Sequence, residues 1–195
     1  MDRVAQESDR RAILKAVGLG SATLAFGALS SVEAIAAPKS RGGSATAASD
    51  VGVMQGALAL EHEGIAAYKI AAGSGLLSPG TIAVATVFLG HHEGHRDALS
   101  KLIRQVGGKP VEPKTDDEYI KELNIAALKS EADVVKFAAG LEQGATNAYV
   151  GQVAAIHDRQ LAHLFAQLGT DEAVHWALLN AAAGGSVPKT PFLFS

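Results

Sequence analysis

"LEHEGIAAYK", residues 60–69, and "LEQGATNAYV", residues 141–150, are two versions of one phrase. Each sets a Leu before a Glu and a Tyr seven residues after it, with small residues between. Side chains seven apart share one face of an α-helix, so Glu61 projects with Tyr68 and Glu142 with Tyr149. Both stretches lie in apolar helical patterns, where an isolated carboxylate is costly to bury. The question is why one chain carries the same costly group twice.

The repetition extends beyond the phrase. A shift of 81 residues lays Glu61 on Glu142, and nearly the same shift lays "HHEGH" (91–95) on "TDEAVH" (170–175). His92 and His95 then fall on Glu172 and His175. Glu61 to His92 spans 31 residues and Glu142 to Glu172 spans 30, so the repeated unit is a whole helix pair.

Four long helical patterns carry these residues. Helix A is expected over about 50–72, helix B over 79–106, helix C over 130–156 and helix D over 158–183. Ser130 with Asp133 reads as a capped start for helix C, and the Gly pairs 107–108 and 184–185 read as stops. Only turn residues separate A from B and C from D, which predicts two antiparallel hairpins. Between B and C, "GKPVEPKTDDEYIKELNIAALK" (108–129) is long enough to cross a bundle, with a short helix expected near 117–122. The fold class is therefore all-α: an antiparallel four-helix bundle over residues 50–185 with one long crossover between B and C, followed by a tail, 186–195, strapped on its surface.

Within helix B, His92 and His95 lie three apart on a face shared with Phe88, Leu99 and Leu102; within helix D, Glu172 and His175 share a face with Phe165, Leu168 and Leu179. These polar groups point inward. Glu93 falls instead with Arg96, Asp97, Ser100 and Arg104 on a solvated face. His62, His91, His157 and His163 are assigned ordinary structural or surface roles, and Tyr68 and Tyr149 are core residues that hydrogen-bond the facing carboxylate. Three carboxylates and three imidazoles converging from four helices are accounted for together by a divalent metal, with Glu61, His92, His95, Glu142, Glu172 and His175 as ligands. Without metal, burial is expected to raise the carboxylate pKa values.

At this point the chain resembles the ferritin-like superfamily over essentially all of residues 50–185. The family pattern is a Glu on the first and third helices and Glu-x-x-His on the second and fourth, usually holding two iron or manganese ions. Glu61, Glu142 and Glu172/His175 match it. Helix B departs: His92 stands where the family has a Glu that commonly bridges two metals, so one ion or an asymmetric pair competes with a regular di-iron centre. The donor set suits Fe or Mn, and Zn as well. No Cys is present, which removes a rubredoxin-like electron-transfer module and places stability in core packing rather than disulfides.

The first residues carry an address rather than fold. "DRRAILK" (9–15) pairs Arg10 with Arg11 ahead of a short, weakly apolar run, "AVGLGSATLAFGAL", and a small-x-small site, "AIA" (34–36). This resembles a twin-arginine (Tat) signal peptide, with Asp9 and Ile13 departing from the family pattern. The resemblance implies residues 1–36 as signal and a periplasmic or otherwise exported bundle that folds before export, as Tat cargo does, often with a cofactor already loaded, and with no membrane insertion after cleavage; residues 37–49, rich in Gly, Ser and Ala without an apolar period, read as a flexible linker. The net charge of −3 and the absence of a basic stripe exclude nucleic acid as a partner. Two functions follow: a metal-binding protein redox-active toward oxygen or peroxide, or a non-catalytic envelope bundle with a structural or stress-protective role; the exported form and the altered helix B do not suggest a third, a storage cage of the ferritin type. The fold also admits homo-oligomers.

Overall fold

The computed structural model describes residues 43–194. The segment read as an export signal, 1–36, lies outside the described residues. Among those described there are five α-helices and no strand: α1 (Gly43–Gly73), α2 (Pro79–Gln105), α3 (Asp116–Glu122), α4 (Glu131–Val153) and α5 (Arg159–Ala182), with a 3-10 turn at Ile125–Ala127. No described helix is long and apolar enough to cross a membrane.

The boundaries follow local chemistry. Pro79 opens α2 where its missing N–H is harmless, and the Ser78 hydroxyl caps the Thr81 amide. Helix α2 stops at Gly107, whose φ of +81° suits a residue without Cβ; the amides of Gly107 and Gly108 then reach back to the carbonyls of Arg104 and Ile103. Thr115 and Glu118 cap α3 reciprocally, Ser130 caps α4 through the Asp133 amide, and Asp158 caps α5 through the amides of Gln160 and Leu161.

Two boundaries differ from expectation. Residues 43–49, expected as linker, are helical: Ala45, Ala47 and Ala48 favour helix although the Gly/Ser content reads as linker. Helix α4 ends at Val153 rather than near Ile156. The buried Asp50 carboxylate on α1 accepts the amides of His157 and Asp158 at 3.1 and 2.9 Å, which fixes the α4–α5 turn as non-helical backbone.

Helices α1/α2 and α4/α5 pack as antiparallel hairpins, joined by α1 against α4 and α2 against α5. The crossover runs along α1: Gln55 binds the backbone of Lys109 and Val111, and His62 binds the Val111 carbonyl. Glu131 at the start of α4 accepts from Ser78 and Thr81, tying the two hairpins together. The core has two apolar layers. Met54, Leu58, Leu99, Ile103, Tyr149 and Phe165 belong to one, and Tyr68, Ala85, Phe88, Val135, Ala139 and Leu179 form the other. In the tail, Phe194 packs edge-on against Trp176 of α5.

Candidate metal centre

A polar cluster lies between the two apolar layers. Glu61 comes from α1, His92 and His95 from α2, Glu142 from α4, and Glu172 and His175 from α5. All six sequence-derived candidates are brought together, and none is more than 7 % exposed. They form two overlapping four-residue groups: Glu61, His92, His95 and Glu172; and His92, Glu142, Glu172 and His175. Within each group one donor atom per residue lies within 4.8 Å of the others. His92 and Glu172 are common to both groups.

His92 occupies the middle. Its Nδ1 is 2.8 Å from Glu61 Oε2 and its Nε2 is 3.3 Å from Glu142 Oε1. Gly64 makes room for it, since a Cβ there would lie 3.1 Å from the imidazole. His95 Nδ1 is 3.1 Å from Glu172 Oε1, and His175 Nδ1 is 3.3 Å from Glu172 Oε2. Glu93 lies outside and pairs with Lys69 at 3.1 Å. Ser100, expected on that outer face, is buried, so the solvated stripe of α2 is narrower than its pattern indicates.

A second ring of side chains orients the first. The Tyr68 hydroxyl donates to Glu142 and the Tyr149 hydroxyl donates to Glu61, as their spacing predicts. Two further partners escaped the sequence reading. His95 Nε2 is 3.2 Å from Asp171 Oδ2, and His175 Nε2 is 2.9 Å from Nδ1 of His91, whose ring stacks on it. Of the structural and surface roles expected for it, His91, although exposed, takes the structural one. The signal was present: the same alignment that lays His92 on Glu172 lays His91 on Asp171. Each sits one residue before a cluster member and contacts the histidine of the opposite helix.

The electrostatics reverse one expectation. Burial disfavours charge on His92, but its bonds to Glu142 and Glu61 and the charge of Glu172 push its pKa up to about 11. His95 is likewise pushed up to about 10 against its burial by Glu172 and Glu61, and Glu142 and Glu172 raise His175. Burial works to raise Glu61 and Glu142, yet the imidazolium neighbours overcome it and hold both below the ordinary carboxylate value. Only Glu172 follows the expected rise, because burial prevails there. The reason is that three imidazoles supply countercharge for three carboxylates. Tyr68 and Tyr149 are driven upward by burial and by the carboxylates they bind, so they stay neutral donors.

Carboxylate and imidazole donors from all four long helices of an antiparallel bundle define a ferritin-like protein. A family model described as ferritin-like domain matches residues 49–185, and the chain belongs to that family. Among solved structures, a conserved hypothetical protein from Mycobacterium tuberculosis superposes with a TM-score of 0.61 at 21 % identity, covering 75 % of this chain and 99 % of that one. A ferritin-like, diiron-carboxylate protein from Bacillus anthracis str. Ames superposes with a TM-score of 0.59 at 16 % identity, covering 72 % and 99 %. At such identities the likeness is one of fold. No curated protein matches the chain.

Proposed function

We propose that this chain is an exported metal-binding protein whose buried Glu/His cluster holds a pair of divalent ions, Fe or Mn, and reacts with oxygen or peroxide. The observation that carries the reading is the pair of overlapping four-donor groups sharing His92 and Glu172. Three carboxylates and three imidazoles are a donor set that Fe, Mn and Zn all accept. Such ions, when bound, supply one-electron chemistry toward oxygen or peroxide if they are Fe or Mn.

The chain's own residues divide the remaining work. Glu61 and His95 serve one half of the cluster and Glu142 and His175 the other. Tyr68 and Tyr149 hold the two carboxylates in place. The raised pKa values of the three histidines mean that ligation displaces their protons. A cavity of about 220 Å³ between α1 and α4, walled by Gly64, Gly140, Gly144 and Ala145, reaches Glu142 and His92 and suits entry of an ion or a small oxidant. The reciprocal Tyr–Glu contacts also support an origin by duplication of a helix pair, and the Arg10–Arg11 segment supports passage through a twin-arginine export route with metal loaded beforehand.

Stopped-flow absorbance after mixing ferrous-loaded protein with hydrogen peroxide or oxygenated buffer tests the redox reading. Oxidation faster than that of free ferrous ion, lost in Glu142→Ala, is expected. Equal rates with and without protein contradict it and favour the structural envelope bundle.

A further inference from the structure

Behind the cluster, on the side of Tyr68 and Phe88, lies a second feature that metal binding does not use. A cavity of about 540 Å³ opens between α1, α2, α4 and the crossover, within the size range of small-molecule sites. Its walls are aliphatic and aromatic, including Leu77, Val84, Ile125, Leu128, Phe137 and Leu141. Buried residues line it on the side toward the Glu/His cluster, Tyr68 and Phe88 among them, and that side is its floor. The far side of that floor is the metal cluster: Tyr68 donates to Glu142, and the Phe88 ring stacks on His175 with centroids 4.1 Å apart.

One charged side chain lines this space, the exposed Lys129. Its ammonium donates to the Ala126 carbonyl at 2.6 Å, and among the described residues no carboxylate pairs with it. Water gains little in so apolar a space, and an apolar occupant would release it. A space of about 540 Å³ is the size of a small-molecule site and holds a single hydrocarbon chain rather than a folded segment. Apolar walls, a deep floor and one unmatched cation describe the complement of a chain with a single anionic head.

We propose that the cavity binds a free long-chain fatty acid, its tail against Tyr68 and Phe88 and its carboxylate at Lys129. The site itself needs no metal. It rests on the metal reading only for its consequence, that the tail ends beside the redox centre and makes a fatty acid the substrate or effector class of that centre.

The test is a fluorescence titration of the full chain with cis-parinaric acid, run in parallel on EDTA-treated and Mn-loaded protein. Saturable binding to both is expected, displaced by palmitate and roughly ten-fold more weakly by hexadecanol, which lacks the anionic head. Ala138→Trp, which places bulk in the cavity from its partly exposed wall, is expected to abolish binding. Lys129→Glu should weaken palmitate several-fold and leave hexadecanol unchanged, with the helical circular dichroism of both variants intact. Absence of saturable binding, or binding indifferent to both variants, overturns the proposal. So does a concentration-dependent dimer that parinaric acid does not dissociate and Ala138→Trp breaks, because a second copy then covers the cavity. A protein that loads metal and takes no fatty acid sinks this proposal alone; one that takes fatty acid and no metal sinks the metal reading alone.

Discussion

His91 Nδ1 on α2 lies 2.9 Å from His175 Nε2 on α5. The corresponding contact on the other side of the cluster pairs His95 with Asp171, a carboxylate in place of an imidazole. Burial and the neighbouring His175 lower the pKa of His91, so His175 faces a neutral imidazole, while His95 faces a carboxylate oxygen of Asp171 at 3.2 Å. The two halves of the cluster therefore differ although their inner donors match.

This difference predicts two unequal binding steps. Asp171→Asn is expected to weaken the tighter step about ten- to hundred-fold and leave the weaker step nearly unchanged, with His91→Ala acting on the weaker step. Calorimetric titration with Mn checks it; equal losses in both steps would show that the outer partners do not divide the site.

Gly64→Ala isolates the room made for His92. Ala in a helix normally stabilises by about 0.5–1 kcal/mol relative to Gly, but here the added methyl meets the imidazole at 3.1 Å. The expected outcome is unchanged or slightly higher denaturant resistance of the metal-free protein together with lower metal affinity. Unchanged affinity would mean that His92 does not ligate.

The pH dependence of stability should differ between the metal-free and loaded forms. His92 and His95 are raised from 6.5 to about 11 and 10, so their stabilisation is fully present below pH 6.5 and is lost as pH climbs toward 10–11. Glu172, raised from 4.5, contributes below that pH and loses its contribution as pH rises above it, whereas Glu61 and Glu142, lowered from 4.5, stabilise above that pH and lose their contribution in acid; the two lowered carboxylates outnumber the raised one. Metal-free protein should be most resistant to urea between about pH 4.5 and 6.5. The added resistance given by metal should grow as pH rises, since fewer protons then compete for the imidazoles. A metal increment that is flat with pH would contradict this assignment.

The inward stripe was legible because helical periodicity places Glu61, Tyr68, Glu142 and Tyr149 without tertiary information, and the i,i+3 pairs on α2 and α5 follow the same rule. His91 and Asp171 were harder to see. Each lies on the flank of its helix, about a quarter turn from the inward stripe, where a polar residue fits the solvent side equally well. The cavity beneath Lys129 was beyond sequence pattern altogether, because the irregular crossover builds one of its walls. The start of α1 at Gly43 was hidden by composition, since Ala serves both linkers and helices.

Export is tested apart from the bundle. Arg10→Lys with Arg11→Lys is expected to leave unprocessed protein in the cytoplasm, read by fractionation and mass spectrometry. Normal processing of the double variant would remove the twin-arginine assignment and leave the metal reading untouched.

The central claim is that the six buried side chains hold metal, and elemental analysis of purified folded protein tests it most directly. About two equivalents of Fe or Mn are predicted for the wild type, as purified or after addition, because two donor groups share His92 and Glu172. Glu142→Ala should lose stoichiometric binding, and Glu93→Ala, outside the cluster in its pair with Lys69, should retain it. A wild type that carries no Fe, Mn or Zn, takes up none on addition and melts at the same temperature with and without these ions would contradict the account.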